Sequence, residues 1–250
     1  MLTFDTTMLL TADSTLQNIK DGCVMLIDKP TNWTSFDVVR KLQYTLHNKI
    51  KIGHGGTLDP LASGLLIVCT GRCTKISGTF QNDNKKYVGT ITIGATTPSY
   101  DLETAFDQTF CIENISNEMC IDNAKTFLGE ITQTPPAHSA VKVGGKPAYL
   151  KARKNEDFVI KSRIVTLFQF ELPAIQLPNI EFEISCTKGT YIRSLANDFG
   201  KKLNNGSHLS RLRRLESGGF NICNAWQIED LIVLLQNIVS NNESDINANS

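Results

Sequence analysis

A glycine-rich loop around Asp59 carries the clearest candidate for chemistry in this sequence. It reads GHGGTLDP over residues 53–60 and leads into a continuous apolar stretch from Leu65 to Cys69. Glycines at this density let the backbone approach a bulky ligand, and the His54 imidazole can hydrogen-bond to such a ligand or stack on it. A lone Asp-Pro is typical of a turn, whereas a carboxylate on a loop fixed to a buried strand suits a nucleophile.

A carboxylate that attacks carbon must be ionised, and this requirement predicts a cationic partner for Asp59. The residues alone leave open which Arg or Lys that partner is. The loop lacks the G-x-x-x-x-G-K-[ST] pattern of a phosphate-binding loop. The pattern therefore favours an ionised, positioned carboxylate over a nucleotide phosphate site.

The elements around this loop mix strands and helices. A short apolar strand at 24–27 precedes it, the segment 86–93 alternates as a half-buried strand, and 180–186 alternates more strictly still. Spacings of three and four predict four helices with their apolar residues facing inward. These inward sets are Phe36, Val39, Leu42 and Leu46 after a Thr34-Ser35 cap; Cys120, Ile121, Ala124, Phe127 and Leu128 before a stop at Gly129; Ile192, Leu195, Ala196, Phe199 and Leu203; and a last amphipathic segment at 228–239. Together these patterns predict an α+β fold with a mixed or largely antiparallel sheet.

Composition places the chain among globular proteins. Its 250 residues are 41% hydrophobic and 20% charged, enough for one large domain or two small ones. No apolar run approaches the roughly 18 residues of a membrane-spanning helix, and the start of the chain lacks a secretory pattern. The seven cysteines are scattered without a C-x-x-C pair, which predicts reduced, buried thiols in a cytosolic protein and no zinc or other metal site.

Basic residues are concentrated although the net charge is zero. The segment 188–214 holds seven Lys or Arg against the single acid Asp198, and a proline-punctuated, weakly periodic segment at 134–163 is also basic. Such segments could bind phosphates or simply form a solvated surface, and the charges alone do not choose between the two.

Six blocks of this sequence, taken in order, resemble the TruB family of tRNA pseudouridine synthases. They cover about residues 22–220, so that coincidence is improbable although a single G-x-L-D-P would be weak. The blocks are LIDKP at 26–30 with WTS at 33–35, GHGGTLDPLASGLL at 53–66, KKY at 85–87, TPPAHSAVK at 134–142, CTKGTYIRSL at 186–195 and LRR at 212–214.

The resemblance implies an isomerisation of uridine to pseudouridine at position 55 in the T arm of tRNA, without a cofactor. Asp59 is then the nucleophile, acting on carbon 6 of the base or carbon 1′ of the sugar. Arg193 corresponds to the arginine that pairs with the catalytic Asp, and Tyr87 to the catalytic tyrosine on which the flipped-out base stacks. The residues expected to bind the substrate or support its site are His54, Tyr191, Leu212 and Lys29.

The fold implied is the pseudouridine synthase fold, a mixed, largely antiparallel sheet flanked by helices with a central RNA-binding cleft. The expected organisation is an N-terminal extension at 1–20, loose or weakly helical, a catalytic domain at 21–240 and a disordered tail at 241–250. Within the domain, 134–163 corresponds to an RNA-gripping insertion. Two positions depart from the family pattern, since His138 stands where Tyr is common and Gly55 where Ala or Thr is usual. The C-terminal RNA-binding domain of longer relatives is also absent from the pattern.

The expected partner is tRNA, met in the cytoplasm by a monomer that needs neither a membrane nor an obligate protein partner. Two alternatives remain. Guide-dependent pseudouridine synthases share the Asp loop and the KGTYIR block but carry the additional C-terminal domain. An RNA-binding or tRNA-folding protein without turnover would not require Asp59, Tyr87 and Arg193 together.

Overall fold

The fold is described by a computed structural model for residues 3–154 and 156–248, of which 243–248 are described as backbone. Its helices are α1 (Leu16–Asp21), α2 (Ser35–Thr45), α3 (Asn117–Lys125), α4 (Ala148–Ala152), α5 (Ile192–Lys202) and α6 (Ile228–Ala248). Its strands are β1 (Val24–Lys29), β2 (Ile52–His54), β3 (Ser63–Thr70), β4 (Lys85–Ile93), β5 (Ala95–Thr96), β6 (Gln108–Thr109), β7 (Gly129–Gln133), β8 (Lys142–Val143), β9 (Lys146–Pro147), β10 (Arg163–Gln176), β11 (Asn179–Cys186), β12 (Ser207–Ser217), β13 (Phe220–Asn221) and β14 (Trp226–Gln227). The predicted α+β class is confirmed.

The chain forms two compact units. The first comprises the chain up to Asp83 and from Arg213 onward, and the second is Asn84–Leu212. Strand β12 is divided between them, with its first six residues in the second unit and the remainder in the first.

The first unit is built on a mixed sheet. Strand β1 runs antiparallel to β3 and parallel to β14, and β2 pairs antiparallel with the far end of β3. Arg213 and Arg214 of β12 pair in parallel with the start of β3 at Ser63 and Gly64. Strand β3 is almost wholly buried, and helix α6 contacts both β1 and α2. The apolar run at 65–69 is therefore a buried strand, as its sequence predicts, and it lies between β1 and β12 in the sheet.

The second unit has a sheet in the order β12, β4, β11, β10, β7, in which β4, β11, β10 and β7 are antiparallel to their neighbours in that run. Its strict alternation at 180–186 buries Ile180, Phe182, Ile184 and Cys186 on one face. Helix α5 buries every member of its predicted apolar stripe, and α3 contacts both α5 and β10. With the first unit's parallel pairs, the mixed but largely antiparallel sheet is confirmed.

Two helices bury a different face from the one that the sequence predicts. The buried face of α2 contains Val38, Val39 and Leu42. Phe36 is two residues before Val38, so its side chain points about 200° away from that of Val38 and is 57% exposed. In α3 the buried face follows Cys120 and Ala124, which leaves Ile121 exposed. Leu128 is also exposed because the helix ends at Lys125, and Gly129 (φ 86°) opens β7 instead of stopping the helix.

Strand β12 is absent from the sequence prediction. Its leucines at 209, 212 and 215 repeat every third residue, a spacing typical of helices. Two of its arginines are also half-buried or buried, as described below. When arginine takes inward positions, apolar and polar residues do not alternate regularly along the strand. The sequence pattern then gives no strand signal, and tertiary contacts decide the conformation.

From residue 3 onward the N-terminal segment is partly helical and is packed onto the first unit, whereas the sequence predicts a loose or weakly helical extension. Leu10 and Ile19 are buried, the Leu10 N–H donates to the carbonyl of Val24, and α1 starts with a capping box at Thr15. Phe4 meets the rings of Phe80 and Phe220 edge-on, at centroid distances of 5.7 and 5.1 Å. Mutual burial of these aromatic rings fixes a segment whose sequence shows little periodicity.

At the other end, α6 continues to Ala248, where the sequence predicts a helix ending near Val239 and a disordered tail at 241–250. Once a helix is nucleated, each added residue gains one backbone hydrogen bond, and a polar run can extend it. Residues 249 and 250 of that tail lie outside the described part. No helix in the described part is long and apolar enough to cross a membrane.

Candidate active site

The Asp59 loop is anchored on both sides of the carboxylate. Before it, the Leu58 N–H donates to Ser35 Oγ at 2.9 Å, and Ser35 Oγ in turn donates to the Leu58 carbonyl at 3.2 Å. After it, the Pro60 carbonyl accepts the Asn32 N–H at 2.8 Å. Asp59 itself is half-buried. The loop therefore has the rigid support that a nucleophilic carboxylate requires.

Lys29 is a fully buried ammonium that ties this loop to the end of β1. Its Nζ donates to the carbonyls of Pro30, Trp33 and Pro60 at 2.9, 2.6 and 3.4 Å. An ammonium has three N–H donors, so these three carbonyls use all of them. Burial lowers the pKa of Lys29 to about 8, while the nearby Asp59 carboxylate opposes that shift. Lys29 is thus bonded to the Asp59 loop at Pro60 and interacts electrostatically with the Asp59 carboxylate, while its role as a support of the site stays a prediction.

The loss of activity at alkaline pH should follow the deprotonation of Lys29. Above pH 8 the amine has only two N–H donors for three carbonyls, and the fixed charge near Asp59 is lost. We expect single-turnover rates to fall as the pH rises from 7 to 9, with a midpoint near 8, and Lys29→Arg to move that fall to higher pH. A rate that is flat across this range would contradict the role.

The stability of the fold should instead increase with pH over part of the same range. The pKa of Lys29 in the fold, about 8, lies below the ordinary 10.5, so between these values the unfolded chain binds more protons. The contribution of Lys29 to the free energy of unfolding therefore rises between pH 8 and 10.5 and is constant below. Urea unfolding across this range separates loss of activity from loss of fold.

His54 and Arg214 lie in the same part of the first unit. Arg214 is buried, and its Nε donates to the Leu65 carbonyl at 2.7 Å. Burial lowers the pKa of His54 and the Arg214 charge lowers it further, which keeps the imidazole neutral at physiological pH. Gly64 (φ 104°) is required here, because a Cβ at this position would collide with the Arg214 backbone. Arg214 was not among the predicted site residues, although the LRR block at 212–214 contains it.

The basic segment at 188–214 does not form one solvated face. Arg193 and Arg214 are buried, Arg213 binds the Asp28 carboxylate through both terminal nitrogens at 2.9 and 2.6 Å, and Arg211 pairs with Glu181. Two of these arginines are thus buried, and the other two, which stay partly exposed, are paired with carboxylates. The charge count along the chain overstated the basic surface.

In the second unit, Arg193 is the second residue of α5 and is 4% exposed. Its Nη1 donates to the His138 carbonyl at 3.0 Å and to the Ser99 carbonyl at 3.4 Å. Its Nε lies 3.6 Å from Oδ2 of Asp101, itself 5% exposed. The loop reaches this position through Tyr100, which has a positive φ of 65°. Sequence reasoning missed Asp101, which lies in a turn-rich segment without a signal of its own.

The other predicted residues of the second unit lie at or near element ends. Tyr191 caps the start of α5, where the Gln133 side chain binds both its N–H (2.8 Å) and its carbonyl (3.0 Å). The Arg163 guanidinium lies over the Tyr191 ring at 5.4 Å. Tyr87, 8% exposed, pairs with Ile184 across β4 and β11, and Leu212 is equally buried on β12.

The segment 134–163 forms a surface excursion around a small hairpin. Strands β8 and β9 flank Gly144 and Gly145, and α4 follows, with Asn155 outside the described part. Lys142 and Lys146 are exposed on this hairpin, whereas Arg153 pairs with Glu103. His138, at its base, contributes its carbonyl to Arg193, a contact that any residue at this position could make.

Comparison with protein families gives one match that spans more than half of the chain. A model described as TruB family pseudouridylate synthase (N terminal domain) matches residues 43–192. A protein of Flavobacterium johnsoniae named tRNA pseudouridine synthase B is 53% identical over 214 residues, covering 83% of this chain and 93% of that protein. Its namesake in Phocaeicola vulgatus is 45% identical, covering 85% of this chain and 92% of that protein.

Solved structures show the same fold. A chain in the crystal structure of a Cbf5-Nop10-Gar1 complex is 31% identical, with a TM-score of 0.67 over 86% of this chain. A chain in the structure of an H/ACA RNP bound to a substrate RNA containing 2'-deoxyuridine is 28% identical, with a TM-score of 0.64 over the same share. The present chain spans only 54% and 53% of those two chains.

Proposed function

From the premise that the chain belongs to the TruB family of pseudouridylate synthases, we propose that it isomerises uridine 55 in the T arm of tRNA to pseudouridine, with Asp59 as the nucleophile. The sequence identity to proteins named tRNA pseudouridine synthase B assigns the chain to the isomerases. The observation that supports Asp59 is its loop, anchored to Ser35 on one side and through Pro60 to Lys29 and Asn32 on the other.

The reaction needs no cofactor, because atoms and electrons balance within the substrate. The bond between N1 of uracil and carbon 1′ breaks, the base turns, and a bond between carbon 5 and carbon 1′ forms. The proton at carbon 5 is released and N1 gains one. Asp59 forms a transient covalent bond, either to carbon 6 or to carbon 1′, which divides one difficult step into two easier ones.

Access to the base requires flipping it out of the folded T loop, at a cost of a few kcal/mol. In the proposal Tyr87 offsets part of this cost by stacking, which is worth roughly 1–3 kcal/mol per base. Neutral His54 contacts the displaced nucleotide, and Leu212 and Tyr191 line the base. Lys29 holds the loop, as its three carbonyl contacts suggest.

Arg193 is proposed as the cation that keeps Asp59 ionised. The carbonyls of Ser99 and His138 accept from its guanidinium, and the Asp101 carboxylate lies 3.6 Å from its Nε as an ion pair. A guanidinium held in this way presents a fixed charge that does not reorganise during the reaction. This arrangement favours a catalytic arginine over one that serves only to bind phosphate.

The hairpin at Lys142 and Lys146 is proposed to grip the RNA backbone. Replacing both lysines with Ala should weaken tRNA binding and reduce the slope of log K against log salt by about 1.8, close to 0.9 for each phosphate that is no longer neutralised. The turnover of bound tRNA should not change. Filter binding at several salt concentrations measures the slope, with Lys125→Ala, an exposed lysine on α3, as the control. An unchanged slope would show that the hairpin does not bind phosphate.

The function is tested with unmodified tRNA carrying tritium at carbon 5 of uridine. Release of tritium by the wild-type protein, without any guide RNA, is the expected result. Binding without release would instead support a tRNA-folding protein, and release only with added guide RNA a guide-dependent enzyme. The proposal also places the enzyme in the cytoplasm as a monomer, where its substrate is found.

A further inference from the structure

One face of α2 exposes aromatic and basic side chains together. Phe36, Arg40 and Tyr44 follow each other at intervals of four residues, and Phe36 and Tyr44 are 57% and 74% exposed. A groove of about 490 Å³ lies beside them, lined by Asn32, Trp33, Asp37, Arg40, Lys41 and Tyr44. This surface, called the α2 face below, extends about 12 Å from Phe36 to Tyr44 at 1.5 Å per residue.

The fold itself does not account for this face. The Arg40 guanidinium lies over the Phe36 ring at 5.1 Å, so both groups are held outward as a stacked pair. Asp37, the acid within the groove, accepts from Thr34 N and Oγ1 at 2.9 and 2.6 Å as part of the helix cap. In the described residues no carboxylate forms a salt bridge with Arg40 or Lys41. The face therefore keeps a net positive charge next to exposed rings.

Rings that alternate with guanidinium and ammonium groups match the chemistry of unpaired nucleotides. Bases stack on aromatic or guanidinium planes, and basic groups neutralise the phosphates between them. A second copy of this chain would bring the same positive charges together, and an apolar partner would cover two positive charges, Arg40 and Lys41, for which Asp37 is the single acid lining the groove. Charge complementarity thus favours RNA over either of these partners.

The α2 face is joined to the Asp59 loop through one short segment. The Asn32 N–H donates to the Pro60 carbonyl at 2.8 Å, and the Trp33 carbonyl accepts from Lys29 at 2.6 Å. Ser35, the first residue of α2, binds the backbone on the other side of Asp59. RNA held on this helix therefore lies on the element that supports the catalytic loop.

We propose that the α2 face is a second RNA-contact surface, on which unpaired nucleotides of the tRNA substrate stack against Tyr44 and the Phe36–Arg40 pair. The proposal rests on the function given above and extends it beyond the nucleotide that reacts. Tyr44 supplies a ring for stacking, Arg40 a stacking plane and a phosphate contact, and Trp33 the wall of the groove.

Binding of unmodified tRNA to the inactive Asp59→Asn protein tests the face independently of turnover. Tyr44→Ala in that background should weaken binding about tenfold, whereas Tyr44→Phe, which keeps the ring, should bind as tightly as the parent. Arg40→Ala should lower the salt slope by about 0.7–0.9, and Lys20→Ala, an exposed lysine on α1, should not change it. In the active protein, Tyr44→Ala and Arg40→Ala should raise KM for tRNA and leave kcat unchanged.

Fluorescence gives a readout that a merely structural role would not produce. Trp33 and Trp226 are the two tryptophans of the chain, so Trp226→Phe leaves Trp33 as the sole reporter in the groove. Addition of tRNA should quench Trp33 in step with binding.

Two results would overturn the proposal. One is tRNA affinity unchanged in Tyr44→Ala, or lost equally in Tyr44→Phe. The other is a protein dimer, seen by sedimentation velocity, that dissociates in Tyr44→Ala without loss of tRNA affinity. Absence of tritium release by the wild type would refute the enzyme function, while the binding series would still decide the role of this face.

Discussion

Asp59→Asn should reduce tritium release from tRNA by roughly 10⁴-fold or more, the scale observed when an enzyme loses its nucleophile. The amide keeps the size and planarity of the carboxylate but has no anionic oxygen with which to attack carbon. The anchors on either side of residue 59 use backbone atoms of Leu58 and Pro60, so the loop should keep its conformation. Affinity for tRNA should therefore remain within about threefold of the wild type.

The control is Asp13→Asn, the same chemical change at an exposed carboxylate, which should leave release unchanged. Rapid-quench measurements with enzyme in excess over tRNA isolate the chemical step from product release. Release by Asp59→Asn within tenfold of the wild type would remove Asp59 from the nucleophile's role, while the enzyme class would stand.

Arg193→Ala should reduce the single-turnover rate by about 10²–10³-fold, the effect of removing one preorganised charge at a reacting centre. Affinity for tRNA should stay substantial. Because Arg193 and Asp101 are both buried, removing either charge should also destabilise the fold, by roughly 3–5 kcal/mol for a buried pair. Thermal unfolding of each variant is needed to keep the two effects apart.

Asp101→Asn tests the same arrangement with a smaller disturbance. It preserves shape and removes the carboxylate 3.6 Å from Arg193 Nε, so the rate should fall because the guanidinium is held less firmly. Asp107→Asn, a change to the exposed carboxylate that accepts from Thr96, is the matched control in the same segment. A double-mutant cycle should show strong coupling between positions 193 and 101. Loss of tRNA binding with turnover preserved at saturating tRNA would contradict the role of Arg193.

The sequence predicts the fold best where one face of an element is buried and the other is solvated. The alternation at 180–186 and the stripe of α5 predicted their elements and their buried residues correctly, because burial alone decides those positions. In α2 the spacing predicted the helix but not the centre of its buried face. Phe36 is exposed because Val38 and Val39 together turn the face away from it.

The sequence likewise indicates some features of the candidate site and not others. The anchored loop of Asp59 and its contact with Lys29 could be anticipated because both residues lie in continuous blocks of sequence, while their roles stay predictions. The contact of Arg193 with Asp101 was not, since it depends on how distant segments pack and on a backbone turn at Tyr100. The pairing of Arg213 with Asp28 removed a charge from the expected surface for the same reason.

The aromatic packing of the N-terminal segment restricts which sequences this loop can accept. A Cβ on Gly55 would lie 2.9 Å from Cβ of Phe80, whose ring is in turn held at 5.7 Å by Phe4. Every residue except glycine has a Cβ, so a smaller side chain at position 80 would not relieve this contact, and the Ser77 carbonyl lies 3.2 Å from the same point. A side chain at position 55 would therefore require the backbone around residues 77–80 to move, and with it the Phe80 ring that packs against Phe4. The choice of residue in the Asp59 loop is thus linked to the packing of Phe4, close to the start of the described chain.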